Sequence, residues 1–150
     1  MGGNVWQEDK KGLVFLGGSC NPTTWRKDTA IPLLQAKGYA YHNPQVDNWT
    51  PDLVEKEAKA KAEADILLFV IDSQTRAIAS ILEATEYILS KRKVLLVVSD
   101  IVDGTSVNGQ VITGGELKDL NRARTYLKDV ATRNGVTVYD SVEKAIESLS

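Results

Sequence analysis

The 150-residue chain contains one cysteine, one histidine and almost no excess of charge. A single cysteine, Cys20, excludes an internal disulfide framework and is typical of a reducing compartment. His42 has no second histidine or nearby cysteine to share a metal with, so we expect no metal site. A net charge of -2 gives no general attraction to nucleic acid or to an anionic membrane, and we expect neither as a partner.

Long hydrophobic runs are also missing. The longest, such as Ile66–Ile71 and Val94–Val98, are far shorter than the roughly 20 residues that cross a bilayer. Residues 1–12 lack the apolar stretch of a signal peptide, and we expect them to be poorly ordered or foreign to the natural chain. Together these features predict a cytoplasmic protein.

What the chain does have is a regular alternation of short apolar segments with helical patterns. Strands are predicted at 13–17, 39–42, 66–71, 94–98 and 136–139, and helices at about 25–37, 51–64, 76–91, 116–133 and 142–149. Such alternation is typical of parallel βαβ units. Residues 1–150 are therefore predicted to form a single-domain, doubly wound α/β fold of the Rossmann or flavodoxin-like kind, with five parallel strands and helices on both faces. Residues 99–115 are predicted to be a loop, which at that length is usually functional or mobile.

A glycine-rich turn follows the first predicted strand and contains Gly17, Gly18, Ser19 and Asn21. Ligands of open parallel sheets bind beyond the carboxyl ends of the strands, and glycine lets a ligand approach the backbone there. The turn has neither the GxGxxG nor the GK[ST] fingerprint of nucleotide-binding loops. Two interpretations stay open: a ligand-binding loop, or a tight turn before a helix.

The loop after the second predicted strand contains Asn43, Gln45 and Trp49. Amide groups and an aromatic ring together suit the edge and the face of a nucleobase. The alternative is an ordinary polar loop in which Trp49 covers the core.

Glu57 lies within an apolar stripe of the second predicted helix, between Leu53, Val54 and Ala64. A charge on a core-facing stripe is costly unless it is bonded or lines a cleft. The alternative is that Lys61, four residues later, pairs with Glu57 at a partly exposed edge. The pattern alone favours this alternative.

Glu83 is the leading candidate for a nucleophile. The strand 66–71 ends at Asp72, and the helix that follows it carries Ser80 and Glu83 near its start, where sites of open sheets form. The helical pattern alone favours a solvated surface glutamate. It places Glu83 opposite an apolar face made of Ala77, Ile78, Ile81, Leu82, Ala84, Ile88 and Leu89.

Four segments together resemble the nucleoside 2-deoxyribosyltransferase family, in particular its divergent "like" branch. They are VFLGGSCNPTTWR, YHNPQVDNW, EAKAKAEADILLFVID and ILEATEYILSKRKVLLVV, and the resemblance runs from about Leu13 to Tyr139. The resemblance implies a nucleophilic glutamate about ten residues before the next strand, a spacing that Glu83 meets and Glu86 does not. It also implies an acid near the reacting sugar, which falls on Glu57.

The chain departs from the family pattern in one important place. Better-known members carry D-x-G-[ST] before the nucleophile, whereas residues 75–80 here read TRAIAS and lack the acid. The family often completes its sugar site with an asparagine from a neighbouring subunit, for which Asn108 is the candidate. The resemblance therefore implies a homo-oligomer with its site near a subunit interface.

The resemblance implies a pentosyltransferase of nucleotide salvage, a nucleoside 2′-deoxyribosyltransferase. Such an enzyme exchanges the base of a nucleoside for a free nucleobase through a covalent glycosyl-Glu83 intermediate, without a cofactor. One alternative is an N-glycoside hydrolase of nucleosides or nucleoside 5′-monophosphates, with Arg26 and Lys27 holding the phosphate. Another is a non-catalytic nucleotide-binding module. The expected catalytic residues are Glu83 and Glu57, and the expected substrate-binding residues are Gly17, Gly18, Ser19, Asn21, Asn43, Gln45, Trp49, Asp72, Ser80 and Asn108.

Overall fold

The computed structural model of the protein describes residues 10–150, so the expectation for residues 1–9 lies outside the described part of the chain. The described residues form seven strands: β1 (Leu13–Gly18), β2 (Ala40–His42), β3 (Ile66–Ile71), β4 (Val94–Val98), β5 (Ser106–Val107), β6 (Gln110–Val111) and β7 (Val138–Tyr139). Five of them form one all-parallel sheet in the order β2-β1-β3-β4-β7. This is the flavodoxin-like strand order, and the predicted five-stranded parallel α/β fold is confirmed.

Helices cover both faces of this sheet. A π-helical turn, Arg26–Ala30, continues directly into a first α-helix, and the α-helices are α1 (Ile31–Lys37), α2 (Leu53–Glu63), α3 (Ile78–Leu89), α4 (Gly114–Arg133) and α5 (Val142–Glu147). One core joins α1 and α5 to the sheet, and a second core on the other face joins α2, α3 and α4 to it. Within residues 10–150 no helix combines the length and the apolar character needed to cross a membrane.

The two central strands explain why the sheet is covered on both sides. Every residue of β3 and of β4 is buried, because each strand has a helix layer above and below it. Along β3, Leu68 and Val70 face the first core, while Leu67 and Phe69 face the second. The carboxyl ends of β1 and β3 lie side by side, at the point where the strand order reverses.

The structure corrects three predictions about local structure. Residues 99–115 are not a plain loop, since β5 and β6 form a small hairpin that closes over its own apolar cluster of Ile101, Val107, Ile112 and Leu120. Helix α3 begins at Ile78, because Ala77 has a left-handed backbone with φ 60°. Its expected apolar face is also wrong in part: Ala84 and Ile88 are buried, but Ile78, Leu82 and Leu89 are exposed, because the sheet covers only one side of a wide apolar stripe.

Gly18 is fixed by close backbone contact between β1 and β3. Its φ is +109°, and an added β-carbon would lie 2.1 Å from the carbonyl oxygen of Val70. We expect Gly18→Ala to lower the free energy of unfolding by about 3 kcal/mol, as measured by urea denaturation. Gly38→Ala is the control, since Gly38 has φ +83° but open space around it, and we expect a loss of only about 1 kcal/mol. Equal losses would show that the contact with β3 is unimportant.

Candidate active site

A pocket of about 350 Å³ opens beyond the carboxyl ends of β1 and β3. Its walls come from the glycine-rich turn after β1, the loop after β2, helix α2 and the start of α3. The predicted site residues that line it are Gly17, Gly18, Asn21, Trp49, Glu57, Ser80 and Glu83. The structure therefore brings both candidate catalytic glutamates into one pocket.

Glu83 is not a fully solvated surface residue. Its carboxylate accepts a hydrogen bond from the ammonium group of Lys61, on α2, in an ion pair with the two side chains 35% and 8% exposed. The polar face of α3 meets α2 here, which the helical pattern of α3 by itself could not indicate. The ion pair leaves Glu83 partly open to the pocket and holds one of its oxygens in a fixed place.

Glu57 has a different environment. It lines the same pocket, is partly buried, and has no ion pair within residues 10–150. Burial raises the pKa of Glu57; the cation of Lys61 opposes this rise, while the negative charge of Glu83 adds to it. The pairing of Lys61 with Glu57 favoured by the sequence pattern is wrong, since the Lys61 ammonium bonds to Glu83 instead.

Two carboxyl groups with different environments can perform two different tasks. A carboxyl group with a raised pKa suits proton donation, and a carboxylate held by a cation suits nucleophilic attack. This is the division of work found in enzymes that break glycosidic bonds.

Glu57 and Glu83 also line a second pocket of about 440 Å³, which lies between α2 and α3. Lys61 and Tyr87 belong to its wall, as does Trp49. Trp49 is 59% exposed at the mouth of the site, so it does not cover the core as the alternative interpretation required. An exposed aromatic face here is available for stacking on a planar ligand.

The amide side chains predicted to read a nucleobase bind the loops to each other. The Gln45 side-chain NH₂ group donates to Asn21 Oδ1 at 2.9 Å and to the Thr23 carbonyl at 3.0 Å. The Asn21 NH₂ group donates to the Val46 carbonyl at 2.9 Å, and Asn43 Oδ1 accepts from the Gln45 backbone N–H at 3.0 Å. Neither Asn43 nor Gln45 lines the first pocket, so these groups shape its wall.

Ser19 and Asp72 are likewise supporting residues. Ser19 is buried, and its hydroxyl oxygen accepts from the Asp72 backbone N–H at 3.1 Å and from the Thr75 hydroxyl at 2.7 Å. Asp72 Oδ1 accepts from the Gln74 backbone N–H at 2.9 Å. These bonds tie the turn after β1 to the turn after β3, and neither side chain lines the pocket.

Asn108 lies in the turn between β5 and β6, with φ 51°, and is not part of the pocket wall. Its predicted role is that of a neighbouring subunit's residue, which the geometry of one chain does not address.

Arg26 lines the first pocket, but its guanidinium is bonded to the protein backbone, and Lys27 lies outside the pocket. Arg26 is buried, and its guanidinium donates to the carbonyls of Leu16 at 2.9 Å, Ser19 at 2.7 Å and Gly18 at 3.2 Å. Lys27 is exposed and does not line the pocket. Arg26 therefore fixes the glycine-rich turn. The geometry does not favour the hypothesis that Arg26 and Lys27 hold the phosphate of a nucleoside 5′-monophosphate.

Sequence reasoning missed the roles of two buried cations, Lys61 and Arg124. The Arg124 guanidinium donates to the carbonyls of Asp72 at 2.7 Å, Thr75 at 2.9 Å and Ser99 at 2.9 Å, which fixes the loops after β3 and β4. The sequence could have indicated that Arg124 is buried, because its spacing places it on the apolar stripe of α4 with Leu120, Leu127 and Ala131.

A comparison with protein families gives a match that covers more than half of the chain. The family model described as "Nucleoside 2-deoxyribosyltransferase like" matches residues 11–101. The matched segment contains β1 to β4 and the whole lining of the first pocket, from Phe15 to Glu83. No curated protein matches the chain.

Proposed function

The chain belongs to the nucleoside 2-deoxyribosyltransferase like family, and on that premise we propose that it exchanges the base of a 2′-deoxynucleoside for a free nucleobase. The observation that carries the proposal is the pair of glutamates in one pocket. Glu83 is held by Lys61, and Glu57 is partly buried with a raised pKa. The reaction class is pentosyl transfer, and its role is nucleotide salvage.

The proposed reaction has two displacements at the anomeric carbon. In the first, a Glu83 oxygen attacks this carbon as the bond to the base breaks, and Glu57 gives its proton to the departing base. In the second, a ring nitrogen of the incoming base attacks, Glu83 leaves as a carboxylate, and the proton returns to Glu57. Two inversions retain the configuration of the sugar.

The pocket also has features that suit a nucleoside. Trp49 at the mouth offers a ring face for a base, and Gly17 and Gly18 line the pocket at the end of β1. Residues of the loops after β1 and β2 are already hydrogen-bonded to each other, so little ordering is needed when a substrate binds. We place the reaction in the cytoplasm, where the exposed thiol of Cys20 stays reduced.

One incubation tests the activity. A 2′-deoxynucleoside is supplied with and without a second free base, and the products are separated by chromatography. We expect a new deoxynucleoside only when the second base is present. Free sugar, formed at a rate independent of the second base, would instead identify an N-glycoside hydrolase. No turnover of any nucleoside or 5′-monophosphate would contradict both and leave a binding module.

We further propose that the chain works as a homo-oligomer with its site close to the interface. Leu82 is 74% exposed, and Ile78 and Val54 are also exposed, all on the two helices that carry the glutamates. Such an apolar surface suits a second copy of the chain. Light scattering should give more than the mass of one chain, and Leu82→Glu should lower it. A monomer in both cases would contradict the proposal.

A further inference from the structure

Lys61 is a buried cation with a single carboxylate partner among the described residues. The residue is only 6% exposed, and its ammonium lies 5.8 Å from the centre of the Phe15 ring and 5.6 Å from that of Tyr87. Arg92 donates to the carbonyls of Lys61 and Ala64 at 2.7 and 2.8 Å, which fixes the end of α2 that carries the lysine. A buried charge of this kind is costly whenever its partner is lost.

The proposed reaction removes that partner. When Glu83 becomes an ester of the sugar, it carries no negative charge, and Lys61 is left without a counter-charge. Glu57 is the available replacement, because it lies one turn earlier on the same helix, lines the same second pocket as Lys61 and Glu83, and already feels the charge of Lys61. Side chains four residues apart on a helix are neighbours.

We propose that Lys61 is a positioning residue that changes its carboxylate partner during the reaction, holding Glu83 in the free enzyme and Glu57 in the glycosyl-enzyme. This inference rests on the proposed function, because the exchange follows from esterification of Glu83.

The charges balance in each state. The proposed first step starts from a form of the free enzyme in which Glu83 is negative, Lys61 positive and Glu57 protonated. In the first step the Glu83 oxygen forms a bond to the anomeric carbon, the electron pair of the glycosidic bond goes to the base, and the proton of Glu57 follows it. Glu57 is then negative beside Lys61, and the ester is neutral. The three side chains have no net charge in either state, so no charge is created or lost within the partly buried site.

The surroundings of Glu57 support a change in its proton affinity at this step. The charged groups that face it are Glu83 from α3, Lys61 from its own helix, His42 at the end of β2 and Arg26 from the π-helical turn, and Asp47 shares the first pocket. After burial itself, the negative charge of Glu83 is what keeps the pKa of Glu57 high, against the lowering by Lys61, His42 and Arg26. Neutralising Glu83 therefore favours loss of the Glu57 proton.

The test is a titration that needs no turnover. The full chain is labelled with ¹³C at its glutamate carboxyl carbons, and the Glu57 signal is followed against pH by NMR. Glu83→Gln stands in for the neutral ester, and we expect it to lower the Glu57 titration midpoint by about one pH unit. Adding Lys61→Met should cancel most of this shift, because the partner that Glu57 gains is then absent. Glu55→Gln, an exposed position of α2 that lines neither pocket, is the control and should leave the midpoint unchanged.

Two results would overturn the inference: an unchanged Glu57 midpoint in Glu83→Gln, or an equal shift with and without Lys61. The double variant replaces an ion pair by neutral groups, which folds commonly tolerate. If it does not fold, Lys61→Arg in the Glu83→Gln background decides, since a retained cation should retain the shift. Failure of base exchange with the shift present would contradict the proposed function alone.

Discussion

Replacing Glu83 by glutamine should lower kcat/KM for base exchange at least about 1,000-fold. The amide has the size of the carboxylate, but its oxygen is too weak a nucleophile to form an ester with the sugar. The ion pair with Lys61 is also lost, so the side chain is no longer held by a charge-assisted bond. Steady-state rates of the variant and of the natural chain, with the same deoxynucleoside and acceptor base, measure the effect.

Glu86→Gln is the control for this prediction. Glu86 lies one turn further along α3, is exposed, and does not line the first pocket, so its loss should change the rate less than about twofold. Mass spectrometry of the natural chain mixed with deoxynucleoside, without an acceptor, should show a deoxyribosyl adduct on the peptide that carries Glu83. Full activity of Glu83→Gln, or an adduct on another residue, would disprove the mechanism.

The architecture was predictable because it depends on features that a sequence displays directly. Two continuously apolar runs became β3 and β4, and the alternation with helices led to a parallel sheet. The presence of Glu83 in the pocket followed from that order, since the carboxyl edge of the sheet is where the pocket opens, although Glu83 lies in the middle of α3 and not near its start. The hairpin β5–β6 was not predicted, because two-residue strands have too little pattern to detect.

The partners of polar side chains were much harder to predict. The spacing within α2 indicates that Glu57 and Lys61 are neighbours. Lys61 nevertheless pairs with Glu83, which comes from a distant segment of the chain. The amides of Asn21 and Gln45 were interpreted as ligand groups, yet they bond to each other across 24 residues of chain. Such pairings depend on the tertiary structure, and the spacing of residues within one helix or loop cannot predict them.

Under the proposed function, the hydrogen bonds of these amides limit which side chains of the pocket can recognise the base. With Asn21 and Gln45 occupied by loop bonds, the rim of the first pocket presents Trp49 and the carboxylate of Asp47, which has no ion pair within residues 10–150. A ring face combined with a hydrogen-bond acceptor favours bases that offer N–H donors on their edge. Arg26 and Arg124 keep the surrounding loops in place, so the rim is preorganised.

Glu57→Gln should lower the exchange rate by about 100-fold to 10,000-fold, the usual contribution of a positioned general acid. An amide cannot give a proton to the departing base. In the natural chain Glu57 must be protonated for the first step, so the rate should fall as pH rises through its pKa. Because burial raises that pKa, activity should persist to higher pH than an ordinary glutamate allows. In the variant, this fall of the rate at high pH should disappear from the plot of kcat/KM against pH.

The same substitution should act in the opposite direction on stability. The folded-state pKa of Glu57 is raised above its unfolded value, so its contribution to stability is present below the ordinary glutamate pKa and is lost as pH rises through the raised value. At pH values above the raised pKa, Glu57→Gln should therefore have a higher Tm than the natural chain. At pH values below the ordinary glutamate pKa, the two chains should have the same Tm. Glu55→Gln, an exposed position on the same helix, should change neither the rate nor the Tm. A variant that loses activity and stability together at neutral pH would indicate that Glu57 serves the fold, because a glutamate kept for its chemistry destabilises the folded chain in its charged form.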